Sequence, residues 1–180
     1  MRMRRETAAC QGAAPRGNIY CAAERNTERR HMGTRIIRTD SAEETRRAAA
    51  LMGKEAFPGE VLALIGDLGT GKTVFTQGFA EGLGITGPVT SPTFTIMQVY
   101  DEGRLQLAHF DVYRIADPDE MDEIGYEDYF YGDGVCLVEW ADLISDLLPE
   151  GTVKVTIRKV PGENPDLWII EIDKDAGTDI

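Results

Sequence analysis

Short apolar runs separated by glycine, proline and acidic residues predict an alternation of strands and helices from Thr34 onward. The run 61–65 is continuously apolar and bounded by glycine, which is typical of a strand covered on both faces. Ser41 and Glu44 have the spacing of a helix capping box, so a helix is expected to begin there. The predicted elements, in chain order, are a strand at 35–39, a helix at 41–57, a strand at 61–65, a helix at 73–83, a hairpin of strands at 95–100 and 105–110, an acidic helix at 117–124, a strand at 135–138, a helix at 143–148, and two strands at 153–158 and 168–172.

This order of elements predicts one α/β domain that occupies residues 32–180. Apolar strands alternating with helices favour parallel pairing in the centre of the sheet. The hairpin and the two closing strands favour antiparallel pairing at its edges. Residues 1–31 lack apolar periodicity and are predicted to be a disordered extension. Met32 then opens a segment that looks like an ordinary start. Seven arginines in the extension raise a transit peptide as the alternative, which three glutamates and the lack of serine disfavour.

Charge and cysteine content narrow the function classes. The net charge is −12, and it is uneven: residues 1–31 carry +4, whereas the remaining 149 residues carry −16. An acidic body repels nucleic-acid phosphates, so any RNA is expected to be held by a partner. Three cysteines without C-x-x-C spacing disfavour a disulfide framework and a zinc site, and they fit a reducing cytoplasm. No apolar run approaches the length of a membrane span.

The segment between the second strand and the next helix matches the phosphate-loop pattern G-x-x-x-x-G-K-[ST]. Glycines let successive backbone N–H groups approach phosphate oxygens, and the following helix points its positive end at them. Lys72 would supply a charge for the β- and γ-phosphates, and the Thr73 hydroxyl would bind Mg²⁺. The fold is therefore expected to be a single P-loop NTPase domain. Its predicted nucleotide-binding residues are Gly66, Asp67, Leu68, Gly69, Thr70, Gly71, Lys72 and Thr73.

Two carboxylates are placed to complete such a site. Asp111 and Glu139 each follow an apolar strand, where a P-loop enzyme needs an acid for Mg²⁺ or for the attacking water. Thr93 lies in the loop after the P-loop helix, where nucleotide switches place a hydroxyl that senses the γ-phosphate. His109 is expected to be a satisfied, partly buried histidine. Trp140 is placed either in the core or beside the nucleotide.

The base of the nucleotide is predicted from an absence in the sequence. Asp122-Glu123-Ile124-Gly125 matches the D-x-x-G of GTPases by letter, but it lies in a predicted helix and follows no strand, so it is interpreted as accidental. No N-K-x-D appears anywhere in the chain. The usual guanine-reading element is missing, which favours adenine, so ATP with Mg²⁺ is the predicted ligand.

Five blocks together resemble the TsaE (YjeE) family, the small bacterial ATPases of tRNA threonylcarbamoyladenosine biosynthesis. The resemblance covers about residues 34–172. The blocks are Gly66 to Thr73, Ser91-Pro92-Thr93-Phe94-Thr95, His109-Phe110-Asp111-Val112-Tyr113-Arg114, Gly125-Tyr126-Glu127-Asp128-Tyr129-Phe130 and Val138-Glu139-Trp140.

The resemblance implies a cytosolic ATPase that binds a heterodimer of TsaD and TsaB, the pair that modifies adenosine 37 of tRNA. Its residue roles would be Lys72 and Thr73 on phosphates and Mg²⁺, Asp111 and Glu139 as metal or catalytic acids, Thr93 as the switch threonine, and Trp140 beside the site. Asp40 and Ser41 resemble the segment that approaches the base. Transfer of the threonylcarbamoyl group would belong to the partners, which would also hold the tRNA.

Two other functions use the same phosphate loop. A small-molecule kinase usually adds clustered lid arginines, whereas only Arg104, Arg114 and Arg158 follow Thr73. A non-hydrolysing, nucleotide-gated binding module would need the same residues as a slow ATPase. The lack of an obvious arginine finger predicts slow hydrolysis by the isolated protein, with a partner completing the site.

Overall fold

The computed structural model describes residues 33–160, 162 and 167–174. The disordered extension predicted for residues 1–31 lies outside this part of the chain. None of the described helices is long and apolar enough to cross a membrane. The strands are β1 (Arg35–Thr39), β2 (Val61–Ile65), β3 (Met97–Tyr100), β4 (Leu107–Asp111), β5 (Val135–Glu139), β6 (Val153–Lys159) and β7 (Trp168–Asp173), and the helices are α1 (Ala42–Glu55), α2 (Lys72–Leu83), α3 (Glu120–Glu123), α4 (Glu127–Phe130) and a kinked 3-10 segment (Ala141–Leu147).

The seven strands form one sheet in the order β1-β7-β6-β2-β5-β4-β3. The four central strands β6, β2, β5 and β4 run parallel to one another. β3 pairs with β4 in the antiparallel sense at one edge, and β7 and β1 do so at the other. The predicted α/β fold, with a parallel centre and antiparallel edges, is confirmed.

Alternation along the central strands divides the core into two layers. In β2, Leu62 and Leu64 face the layer that contains α1 and α2, whereas Val61 and Ala63 face the layer beneath α3 and α4. β2 is covered on both faces, which is why its apolar run is continuous rather than alternating. Cys136 lies in the second layer as a buried free thiol, and burial raises its pKa to about 12.

The predicted acidic helix at 117–124 is only a single turn, α3, and a second turn, α4, follows it. Asp119 would stand one turn from Asp122 and Glu123 in a longer helix, and like charges at that spacing are destabilising. The Glu120 carboxylate accepts the N–H groups of Ala116 and Asp117 and so holds the segment at the start of α3. The stretch 141–147, where a helix was expected at 143–148, is 3-10.

Helices α1 and α2 pack backbone to backbone across one face of the sheet. A Cβ at Gly78 would overlap the Arg46 carbonyl oxygen of α1, and a Cβ at Gly82 would overlap that of Ala50. Gly53 of α1 meets the Phe79 carbonyl of α2 in the same way. This approach holds the helix that carries the phosphate loop against the sheet.

Replacement of Gly78 by alanine is therefore expected to destabilise the fold by about 1–3 kcal/mol, because overpacking forces the two backbones apart. Urea unfolding followed by circular dichroism measures the effect. Gly87→Ala is the matched control, since its Cβ would meet only the mobile end of the Glu102 side chain at 3.3 Å. Equal stability of the two variants would contradict the close packing of α1 and α2.

Candidate functional site

The phosphate loop lies between the end of β2 and the start of α2, as predicted. Gly66 has φ 154°, and a Cβ at this position would overlap the Ile157 carbonyl oxygen of β6. The Thr70 hydroxyl donates to the Asp67 carbonyl at 2.9 Å and closes the loop on itself. Leu68 is 84% exposed at the tip. The loop is thus held from inside, and its outer rim is open.

Lys72, the first residue of α2, is only 5% exposed and points back into the loop. Its ammonium donates to the carbonyls of Gly66 and Asp67 at 2.6 and 2.9 Å. The same Nζ lies 3.6 Å from the centre of the Trp140 ring. Burial lowers the lysine pKa, and the nearby carboxylates of Glu139 and Asp111 oppose that shift. The positive charge of Lys72 therefore lies on the inner side of the phosphate loop.

Glu139 ends β5 and is 2% exposed. Its Oε2 lies 3.3 Å from the Thr73 hydroxyl, and its Oε1 is 3.1 Å from the Thr76 hydroxyl. The same Oε1 is 3.0 Å from Nε2 of His109. One carboxylate oxygen thus faces the inner packing, while the other faces the threonine that was predicted to bind Mg²⁺.

Asp111 ends β4 and stands opposite Glu139 in the parallel register. Its Oδ2 accepts the Thr93 hydroxyl at 2.6 Å and also the Ser91 hydroxyl, and its Oδ1 accepts the Tyr113 N–H at 3.2 Å. The structure therefore places both predicted acids at one edge of the sheet. It also ties the loop that carries Thr93 to that edge.

Three polar contacts of this site, made by Ser91, Thr76 and His109, were not anticipated from the sequence. Ser91 and Thr76 received no role, although each donates towards one of the two acids. Ser91 precedes Thr93 by two residues, and Thr76 follows Thr73 by three, so spacing alone was the available signal. His109 was expected to be satisfied and partly buried, but it is fully buried, and only one of its ring nitrogens has a partner among the described residues.

Trp140 packs on the second core layer and also contacts the phosphate loop, whereas its place beside a nucleotide stays a prediction. It follows β5 with φ 63°, a conformation that non-glycine residues rarely adopt and that is often found at functional sites. Its half-buried ring packs against the second core layer and lies 4.9 Å from the Tyr113 ring. The same ring contacts the Lys72 ammonium, so the indole also lies beside the phosphate loop.

Ser41 lies at the start of α1, where its hydroxyl accepts the Glu44 N–H at 3.2 Å. The Glu44 carboxylate accepts the Asp40 N–H at 2.8 Å, one residue earlier than in a standard capping box. These contacts confirm the predicted helix start. The contact of Ser41 with the base of a nucleotide stays a prediction.

The residues near Thr73 suit a magnesium ion that is shared with a nucleotide. In the described part of the chain, no three His, Cys, Asp or Glu side chains converge into a self-sufficient metal cage. Mg²⁺ is usually held by one or two protein oxygens together with phosphates and water. The Thr73 hydroxyl and Glu139 Oε2 form such a pair of oxygen donors, so the donor set fits the ion.

Comparison with known proteins identifies the family. The model of the family described as threonylcarbamoyl adenosine biosynthesis protein TsaE matches residues 39–164. The chain belongs to the TsaE family. The resemblance seen in the sequence motifs is thereby confirmed. The matched region runs from the last residue of β1 to beyond β6, so every predicted site residue from Ser41 to Trp140 lies within it.

Individual TsaE relatives agree with this assignment. A Bacillus subtilis protein named tRNA threonylcarbamoyladenosine biosynthesis protein TsaE is 54% identical over 122 residues, which cover 68% of this chain and 76% of the relative. A Treponema pallidum protein of the same name is 42% identical over 72% of this chain and 95% of the relative. The crystal structure of Bacillus subtilis YdiB superposes with a TM-score of 0.69 at 43% identity, covering 82% of this chain and 89% of YdiB. This chain therefore has the P-loop fold of the TsaE family.

Proposed function

We propose that this TsaE-family chain binds ATP and hydrolyses it slowly in the presence of Mg²⁺. In this proposal it acts in the cytoplasm with the TsaD–TsaB heterodimer in the formation of threonylcarbamoyladenosine at position 37 of tRNA. The observation that carries the proposal is the convergence of the phosphate loop with Asp111 and Glu139 at one edge of the sheet. Membership of the TsaE family supports the assignment to threonylcarbamoyladenosine biosynthesis.

The loop residues would bind and orient the triphosphate. Backbone N–H groups of 66–73 and the positive end of α2 would hold the phosphates. Lys72 would exchange its bonds to the Gly66 and Asp67 carbonyls for phosphate oxygens, a movement of the ammonium alone. Thr73 and Glu139 would hold Mg²⁺, which supplies neutralisation of the phosphate charge when it is bound.

Asp111 and Thr93 would connect hydrolysis to the conformation of a loop. Asp111 stands at the same sheet edge as Glu139, and we propose that it orients the attacking water. Its bonds to Ser91 and Thr93 tie the 91–95 loop to that position. Loss of the γ-phosphate would therefore change the conformation of this loop. Phe94 of the loop is 88% exposed and could contact a partner protein.

The arginines favour an accessory ATPase over a small-molecule kinase. Arg104 donates to the carbonyls of Gly53 and Ala56 at 2.6 Å, so its guanidinium is engaged in joining structural elements. Arg158 lies 4.0 Å from Glu171 across β6 and β7, and Arg114 stacks over the Phe94 ring. Among the described residues after Thr73, these arginines form no phosphate clamp. A nucleotide-gated binding module without hydrolysis remains the second candidate, because it would use the same loop.

The partners would account for the tRNA. The region 32–180 carries −16, a charge that opposes direct binding to a nucleic-acid backbone. TsaD and TsaB would hold the tRNA and perform the transfer, and this chain would reach the tRNA only through them. Its ATP hydrolysis would reset the complex between turnovers.

Steady-state ATP hydrolysis tests the proposal, measured alone and with purified TsaD–TsaB while tRNA modification is followed in the same reaction. The isolated protein is expected to turn over far more slowly than the enzyme median of about 10 s⁻¹, and the partners are expected to accelerate it. Repeated modification of tRNA should require this chain. A fast isolated ATPase would contradict the need for a completing partner. Partners that change neither rate would overturn the assignment of TsaD–TsaB.

A further inference from the structure

His109 is a buried histidine at the centre of the candidate site. It lies in β4 opposite Leu137 of β5 and is 0% exposed. Alternation along β4 places it on the same face as Leu107 and Asp111, towards the layer that contains α2. The ring is therefore enclosed between the sheet and the helix that carries the phosphate loop.

Among the residues that the structure describes, the one hydrogen-bond partner of this ring is Glu139. Nε2 lies 3.0 Å from Glu139 Oε1, and because a carboxylate only accepts, the hydrogen of this bond is on Nε2. The Thr76 hydroxyl also reaches Oε1, but its one proton is shared with the Lys72 carbonyl at 3.1 Å. His109 is thus the donor to Oε1 that has no competing acceptor among the described residues.

The other ring nitrogen makes the burial informative. Nδ1 of His109 is buried with no hydrogen-bond partner in the described part of the chain. Buried side-chain polar atoms usually have a partner, and leaving one without costs free energy. If this position served only for packing, a leucine would fill it without the cost of a buried, unpartnered nitrogen. The contact of His109 with Glu139 is the polar interaction that distinguishes it from an apolar residue.

We propose that His109 is a positioning residue that holds the Glu139 carboxylate for Mg²⁺. By fixing Oε1 on the inner side, it keeps Oε2 directed towards Thr73, 3.3 Å away. Partners that orient a metal-binding carboxylate typically affect metal affinity by about 10–100-fold. The inference rests on the proposed function, since it assigns His109 to the magnesium requirement of that site.

A matched pair of variants tests the proposal. In His109→Gln the side-chain amide nitrogen reaches the position that Nε2 occupies in histidine. The asparagine side chain of His109→Asn is one methylene shorter, so its amide nitrogen reaches only the position of Nδ1. The measurements are the affinity for a fluorescent ATP analogue with Mg²⁺ and in EDTA, and the Mg²⁺ concentration for half-maximal hydrolysis. His109→Asn is expected to raise that concentration about 10-fold or more, with unchanged affinity in EDTA. His109→Gln should stay near the wild-type value.

A double substitution separates positioning from general damage. In a Glu139→Gln background, His109→Asn should cause no further change in the Mg²⁺ requirement, because the two residues act as one unit. Equal loss of affinity with Mg²⁺ and in EDTA would overturn the proposal in favour of a structural role. Wild-type Mg²⁺ dependence in both His109 variants would overturn the proposal alone. A wild-type protein that binds no ATP would overturn the proposed function and this inference together.

The unmodified protein provides a test that does not depend on the folding of a variant. The chain has two histidines, His31 and His109, so ¹⁵N NMR of the imidazoles can separate them. A hydrogen on Nε2 of His109 is expected, together with a shift of this signal when Mg²⁺ is added to the protein with ATP. A hydrogen on Nδ1 instead would overturn the proposal.

Discussion

Replacement of Lys72 by alanine is expected to abolish tight ATP binding while the protein stays folded. Lys72 is 5% exposed, and its ammonium lies inside the loop within 2.9 Å of two loop carbonyls, from which it would turn to the phosphate oxygens. Loss of one partner from a buried charge contact costs about 2–5 kcal/mol, which corresponds to a fall in affinity of about 30-fold or more. Isothermal titration calorimetry with MgATP measures the change.

The fold should survive because this lysine is not held there by a favourable burial. Desolvation lowers the pKa of Lys72, which means that folding disfavours its charged form despite the neighbouring carboxylates. Alanine removes that unfavourable contribution, so the thermal unfolding midpoint should change little without nucleotide. Lys54→Ala, the same change at an exposed position of α1, is the matched control. A folded Lys72→Ala protein with normal ATP affinity would refute the phosphate assignment.

The sheet edge could be predicted because it depends on strands that the sequence marks clearly. The carboxyl ends of parallel strands meet at one edge, so acids that follow two neighbouring parallel strands come close together. The register of β4 and β5 places Asp111 opposite Glu139 for this reason. Glycine positions and the Lys-Thr pair likewise predict the loop between β2 and α2.

The hydrogen-bond partners of those acids could not be predicted in the same way. Thr76 reaches Glu139 only because α2 packs over β5, and Ser91 reaches Asp111 only because its loop folds back over β4. That fold-back depends on Ile96, which has φ 64° and donates its N–H to the Pro92 carbonyl. A β-branched residue in this conformation is a steric exception that tertiary contacts impose. No local sequence pattern indicates it.

Removal of the charge of Glu139 and of Asp111 is expected to have different effects on Mg²⁺ binding. Glu139→Gln and Asp111→Asn should each lower the rate of hydrolysis by about 100-fold or more, the usual size of an acid–base or metal-positioning contribution. Glu139 faces Thr73, so its loss should also raise the Mg²⁺ requirement. Asp111 is bonded to the Thr93 loop rather than to Thr73, so Asp111→Asn should still bind MgATP. Single-turnover hydrolysis and MgATP titrations measure the two effects separately.

The shape of the Asp111→Asn site supports that separation. An asparagine keeps one oxygen, which can still accept the Tyr113 N–H, but its amide group would face the hydroxyls of Ser91 and Thr93 as a donor. The hydroxyls can rotate to accept, so the loop can stay in place while the charge that orients water is lost. Glu55→Gln, at the exposed end of α1, is the control for a charge change elsewhere. Equal loss of MgATP affinity in Asp111→Asn and Glu139→Gln would mean that both acids hold the metal, and the division of roles between β4 and β5 would be wrong.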